Sequence, residues 1–180
     1  PAGFNNICPD DLRAAPAVFR SQVAALASRL GTDLPQKFLV LPESHTSNLY
    51  YLENLHYLVQ LIREAGFETE VGWYGPLPEG HAGPLSLLSA TQKPITAHPI
   101  QIGADGNVTA GSFRPDWILL NNDFSGGYPE ALDRVRQVIL PTHALGWHSR
   151  KKSTHFKQYN ELASEFSRII GVDPWVFTIE

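Results

Sequence analysis

The stretch KFLVLPESHTSNLYYLENLHYLVQLIREAGFETEVGWY, residues 37–74, decides the fold. It opens with a short apolar run, Phe38-Leu39-Val40-Leu41, which reads as a buried strand. Leu52, Leu55, Val59 and Ile62 then recur every three or four residues, with Tyr51, Leu58 and Leu61 widening the stripe. That period is helical, and Gly66 is a natural place for the helix to stop. Residues 67–74 return as a second strand. Strand, helix, strand in this order implies a right-handed parallel crossover. Parallel sheets take their ligands just beyond the carboxyl ends of the strands. The residues after Leu41 therefore matter: Pro42, then six polar side chains from Glu43 to Asn48, before the helix begins.

Outward from this unit the alternation continues. Residues 10–31 read as a helix, with Asp10 and Asp11 in the first turn and Gly31 as cap. Val18, Phe19, Val23, Leu26 and Leu30 keep the helical spacing, and Pro16 is expected to break or restart the helix. Residues 75–84 are a loop. Residues 85–90, 95–102 and 108–113 are strand-like, and Asp105-Gly106 is a hairpin signal. This segment, about 85–113, reads as a small antiparallel insert or sheet edge. Residues 116–121 and 138–140 are further strands, residues 129–137 a helix between them, and residues 153–170 a long amphipathic helix closed by Gly171. The tail 175–179 reads as a final buried strand. The expected fold is a single α/β domain over residues 1–180: three layers, with a mostly parallel sheet flanked by helices.

Composition removes several classes of function. A net charge of −4 and a pI near 6.0 leave no basic excess for nucleic-acid phosphates. No apolar run approaches the roughly 20 residues of a membrane helix. One cysteine, Cys8, excludes a disulfide framework and fits a reducing, cytoplasmic setting. With no methionine, even at position 1, the chain is expected to be part of a longer protein. Its seven histidines include no HExxH pair, and no zinc-ribbon, nucleophile-elbow or phosphate-loop motif occurs. No metal ligands are therefore assigned.

Three strands end in unusual polar turns. The first carries Glu43, Ser44, His45, Thr46, Ser47 and Asn48. Helix capping needs one such side chain, not four, and does not need Glu43 or His45. The second is Asn121-Asn122-Asp123-Phe124-Ser125-Gly126-Gly127, amides and a carboxylate beside glycines, which also suits an ordinary tight turn. The third, residues 141–157, places Arg150, Lys151, Lys152 and Lys157 around His148 and His155. Cations at a helix start oppose the helix dipole unless an anion sits among them. By themselves these residues support an α/β domain with an anion-binding edge.

Taken together, LPESHTSNLYYLEN (41–54), LLNNDFSGGYPE (119–130) and GWHSRKKSTHFKQYNELASEFSRIIGVDPW (146–175) resemble the proteobacterial-type glutamate–cysteine ligases. The likeness runs from about Phe38 to Trp175 and is loose over 75–112. Family members are longer, so the chain resembles their N-terminal part. A weaker fold-level likeness is to the first domain of ATP-grasp ligases.

The resemblance implies ATP- and Mg²⁺-dependent joining of the glutamate γ-carboxylate to the cysteine amine, through an acyl phosphate. ATP and Mg²⁺ would be bound mostly by a C-terminal ATP-binding part of the same protein, and the 180 residues alone would be inactive. On the matching positions, Arg150, Lys151 or Lys152 would grip a carboxylate or the developing acyl phosphate. Glu43 or Asp123 would hold an ammonium group. Ser44, Thr46, Asn48, Asn121 and Asn122 would donate or accept neutral hydrogen bonds, and Ser125 would join them in binding substrate. His45 and His148 would bond a carboxylate or move protons. Two rivals use the same turns: a non-catalytic module holding an amino acid or small anion, and a nucleotide-sugar transferase domain.

Overall fold

The computed structural model describes residues 9–42, 49–89, 91–121 and 130–140. In chain order these form α1 (Pro9–Leu30), β1 (Lys37–Leu41), α2 (Leu49–Glu64), β2 (Glu68–Trp73), β3 (Leu85–Leu88), β4 (Pro94–Ile102), β5 (Val108–Ala110), β6 (Trp117–Leu120), a 3₁₀ helix (Glu130–Arg134) and β7 (Val138–Leu140). The sheet runs β3-β4-β2-β1-β6-β7, with β5 paired to β4. Its β1·β2, β1·β6, β2·β4 and β6·β7 pairs are parallel. The chain thus folds as an α/β domain around a mostly parallel sheet, as the crossover at 37–74 implied.

Period-2 alternation divides the core. Phe38 and Val40 of β1 and Trp117 of β6 pack on one face, against Val23 and Ala27 of α1 and Leu52, Leu55, Val59 and Ile62 of α2. Leu39, Leu41, Ile118 and Leu120 face the other way. Because both faces are covered, β1 and β6 read as continuous apolar runs. The first face holds a ring cluster, with Phe38 5.1 Å from Phe67 and 6.0 Å from Trp117. Pro16 does not end α1, which runs unbroken for 22 residues. Burial of Val23 and Ala27 against α2 and the sheet outweighs the one hydrogen bond that proline removes. Gly66, at φ 85°, closes α2, where Phe67 N donates to Ile62 O at 3.3 Å.

The antiparallel segment expected over 85–113 is present, in the β3·β4 and β4·β5 pairs. Its middle strand also joins the parallel sheet, since β4 lies beside β2 from Ala97 to Pro99. Beyond that point Ile100 and Ile102 pack with Val108, Ala110 and Leu132 over the second face. Gly72 permits this approach: a Cβ there would lie 2.8 Å from Ile100 Cγ2 and 3.1 Å from Leu39 Cδ2. Residues 129–137, expected as a helix, contain the short 3₁₀ turn Glu130–Arg134, whose Leu132 is buried under the same face. The expected helix 153–170 and strand 175–179 lie outside the described residues.

Candidate functional site

The strand order brings the three predicted edges together. β1 and β6 are parallel neighbours in register Leu41↔Leu120, and β6 and β7 in register Leu119↔Leu140. The three strands therefore end side by side, within one residue of each other. In sequence, their ends lead directly into 43–48, 122–129 and 141–157.

The β1·β6 pair is held at both ends. At the amino end, Asp116 Oδ2 accepts from Gln36 N at 2.7 Å and Lys37 N at 3.0 Å. At the carboxyl end, Asn121 N donates to Leu41 O at 2.9 Å. These clasps fix the register that levels the strand ends.

Of the predicted site residues, Asn121 is the one the structure describes. It comes directly after β6, and its Nδ2 is buried with no hydrogen-bond partner among the described residues. A buried amide donor left unpaired costs about 1–3 kcal/mol. Glu43, Ser44, His45, Thr46, Asn48, Asn122, Asp123, Ser125, His148, Arg150, Lys151 and Lys152 lie outside the described residues.

Sequence reasoning missed a polar cluster on α2. Glu53, one turn into that helix, accepts from Thr91 N at 3.1 Å and from Thr91 Oγ1 at 2.7 and 2.9 Å. Lys93 Nζ lies 3.7 Å from the same carboxylate, donates to Tyr57 OH at 3.3 Å and sits 4.5 Å over the Tyr57 ring. The Thr91 hydroxyl first, then the Ser89 hydroxyl, hold the Glu53 carboxyl down at about 2 from its usual 4.5. The partners are 38 residues apart, so no local pattern announces them.

A cavity of about 970 Å³ lies at the opposite, amino-terminal edge, between residues 32–36, the β4–β5 turn and the residues leading into β6 and β7. Two of its carboxylates are already engaged: Asp116 with Gln36 N and Lys37 N, and Asp105 with Asn107 N at 3.0 Å and Asn107 Nδ2 at 2.6 Å. The Asn107 bonds lower the Asp105 pKa. This cavity contains none of the predicted site residues, and β1, β6 and β7 begin beside it rather than end there. Among the described residues, no group of three His, Cys, Asp or Glu side chains is placed to hold a metal ion. No helix among them is long and apolar enough to cross a membrane.

A family model for glutamate-cysteine ligase matches residues 1–180, the whole chain. The chain belongs to the glutamate-cysteine ligase family. Among solved structures, it is similar to a crystal structure from Methylobacillus flagellatus KT, of a protein proposed to be a gamma-glutamylcysteine synthetase. The identity is 34%, the TM-score 0.70, and the match covers 98% of this chain and 39% of that one. The chain therefore spans about two-fifths of the length of that ligase-family relative. A comparison with curated protein sequences finds no match.

Proposed function

We propose that this chain forms the amino-acid-binding part of an ATP-dependent glutamate–cysteine ligase, which makes γ-glutamylcysteine in the first step of glutathione synthesis. Membership of the ligase family over the whole chain carries this reading. The level carboxyl ends of β1, β6 and β7 and the buried Asn121 Nδ2, without a hydrogen-bond partner among the described residues, support the location of the substrate site.

In this reading the γ-carboxylate oxygen of glutamate takes the terminal phosphoryl group of ATP, and ADP leaves. The cysteine amine then attacks the acyl carbon, expels phosphate and gives up a proton. Such chemistry is mainly positioning and charge stabilisation. Arg150, Lys151 and Lys152 supply positive charge for a carboxylate and for the acyl phosphate. Glu43 or Asp123 holds the substrate ammonium group. Ser44, Thr46, Asn48, Asn121, Asn122 and Ser125 orient the substrate through neutral hydrogen bonds, with His45 and His148 bonding a carboxylate or moving protons. Magnesium would neutralise phosphate charge. Its ligands and most nucleotide contacts are assigned, on the likeness to the longer ligases, to a C-terminal part of the same, cytoplasmic protein.

The test uses the full-length protein with Arg150→Ala and Lys152→Ala. Each is expected to lower kcat/KM for glutamate by about 10- to 100-fold, the loss of one charged hydrogen bond. Unchanged KM and kcat in both variants would remove these residues from the site. Turnover without dependence on ATP would remove the reaction class.

A further inference from the structure

We propose that Glu53 is a positioning residue, which fixes the amino end of α2 at the substrate-binding edge by latching it to the β3–β4 turn. This rests on the proposed ligase function, which puts that edge at the substrate. The first residue of α2, Leu49, lies four residues before Glu53, about 6 Å along the axis.

Apolar packing constrains where a helix sits along its own axis less sharply than hydrogen bonds do. Leu52, Leu55, Val59 and Ile62 hold α2 on the sheet, but hydrophobic attraction is non-directional. Hydrogen bonds have fixed lengths and angles. Glu53 takes both the backbone N–H and the hydroxyl of Thr91 on one carboxylate. Lys93 ties the same turn to Tyr57, one helical turn further along α2.

The far side of the latch is firm. Ser89 is fully buried, and its hydroxyl accepts from Lys93 N at 3.1 Å. Ser89 N donates to Lys93 O at 3.1 Å and Gln92 N to Ser89 O at 2.9 Å. Gln92 is held at φ 60°, a left-handed conformation that a non-glycine residue keeps only where its surroundings over-determine it. Lys93 leads straight into β4, and β4 pairs through β2 to β1, the strand that precedes α2. The latch thus ties α2 to the residues that lead into β4, which pairs through β2 to β1. The amino end of α2 is set by these directional bonds.

The experiment compares Glu53→Gln, Thr91→Val, Thr91→Ser and the double variant Glu53→Gln/Thr91→Val in the full-length protein. It measures steady-state ligation and amide hydrogen exchange at residues 53–57, whose N–H groups bond the carbonyls of the first turn of α2. Glu53→Gln and Thr91→Val should each lower kcat/KM about 5- to 100-fold, the upper end being the cost of roughly 1 Å of misplacement. The double variant should be no worse than the worse single one, and Thr91→Ser, which keeps the hydroxyl, should stay within about twofold. Exchange at 53–57 should quicken in the first two variants. A folded Glu53→Gln protein with unchanged exchange there, or with kinetics within about twofold of the original, overturns the proposal. Should Glu53→Gln not fold, the Thr91→Val and Thr91→Ser pair decides on the same readouts. If the original full-length protein ligates nothing, the functional reading fails, and exchange at 53–57 still judges the latch.

Discussion

Replacing Asn121 by leucine separates a ligand donor from a structural one, because the two predict opposite signs. Leucine has the same branching and number of side-chain heavy atoms as asparagine and removes the amide. Nδ2 of Asn121 is buried and has no partner among the described residues, while the backbone N of Asn121 already bonds Leu41 O. Leucine retains that backbone bond and the β1·β6 register with it. In the substrate-free protein the unpaired donor costs about 1–3 kcal/mol, and leucine removes the cost. The melting temperature of Asn121→Leu should therefore equal or exceed that of the original. With substrate bound, the lost donor weakens binding by the same 1–3 kcal/mol, about 5- to 150-fold in affinity. Calorimetry with glutamate, together with a thermal melt of the full-length protein in the absence of substrate, reads both quantities. A lower melting temperature with unchanged affinity would mean that Nδ2 serves the fold, and the case for this edge would lose its one described site residue.

Gly72→Ala should destabilise by about 1–3 kcal/mol, because the added methyl meets Ile100 Cγ2 at 2.8 Å and Leu39 at 3.1 Å. Combining it with Ile100→Ala should cost less than the sum of the two single changes, since the methyl enters the space vacated by Ile100. A strictly additive cycle in urea unfolding would place the clash elsewhere. The Glu53 latch has a signature in acid. Its carboxyl falls from 4.5 when unfolded to about 2 when folded, so its stabilisation is complete above about pH 4.5 and fades as pH drops towards 2. Glu53→Gln should flatten the stability curve in that window, and equal slopes in tryptophan-monitored acid titrations would contradict the hydrogen-bonded carboxylate.

The sequence alone carried the local and repetitive information. Apolar runs at 37–41 and 116–121 marked strands buried on both faces, and the stripe from Leu52 to Ile62 marked α2, because periodicity is written in neighbouring residues. The concentration of polar residues after Leu41, Leu120 and Leu140 was legible for the same reason, as was the ligase-family resemblance. Tertiary structure alone decided that β1, β6 and β7 are adjacent and end level, because pairing depends on backbone bonds between distant residues, such as those of Asp116 N to Lys37 O and Asn121 N to Leu41 O. It decided that β4 serves both the parallel sheet and the antiparallel ribbon above it, through the space left at Gly72. It also decided that residues 130–134 form one short turn and that Glu53 bonds Thr91. Such contacts depend on where two distant segments meet in space, and no periodicity within either segment encodes that meeting.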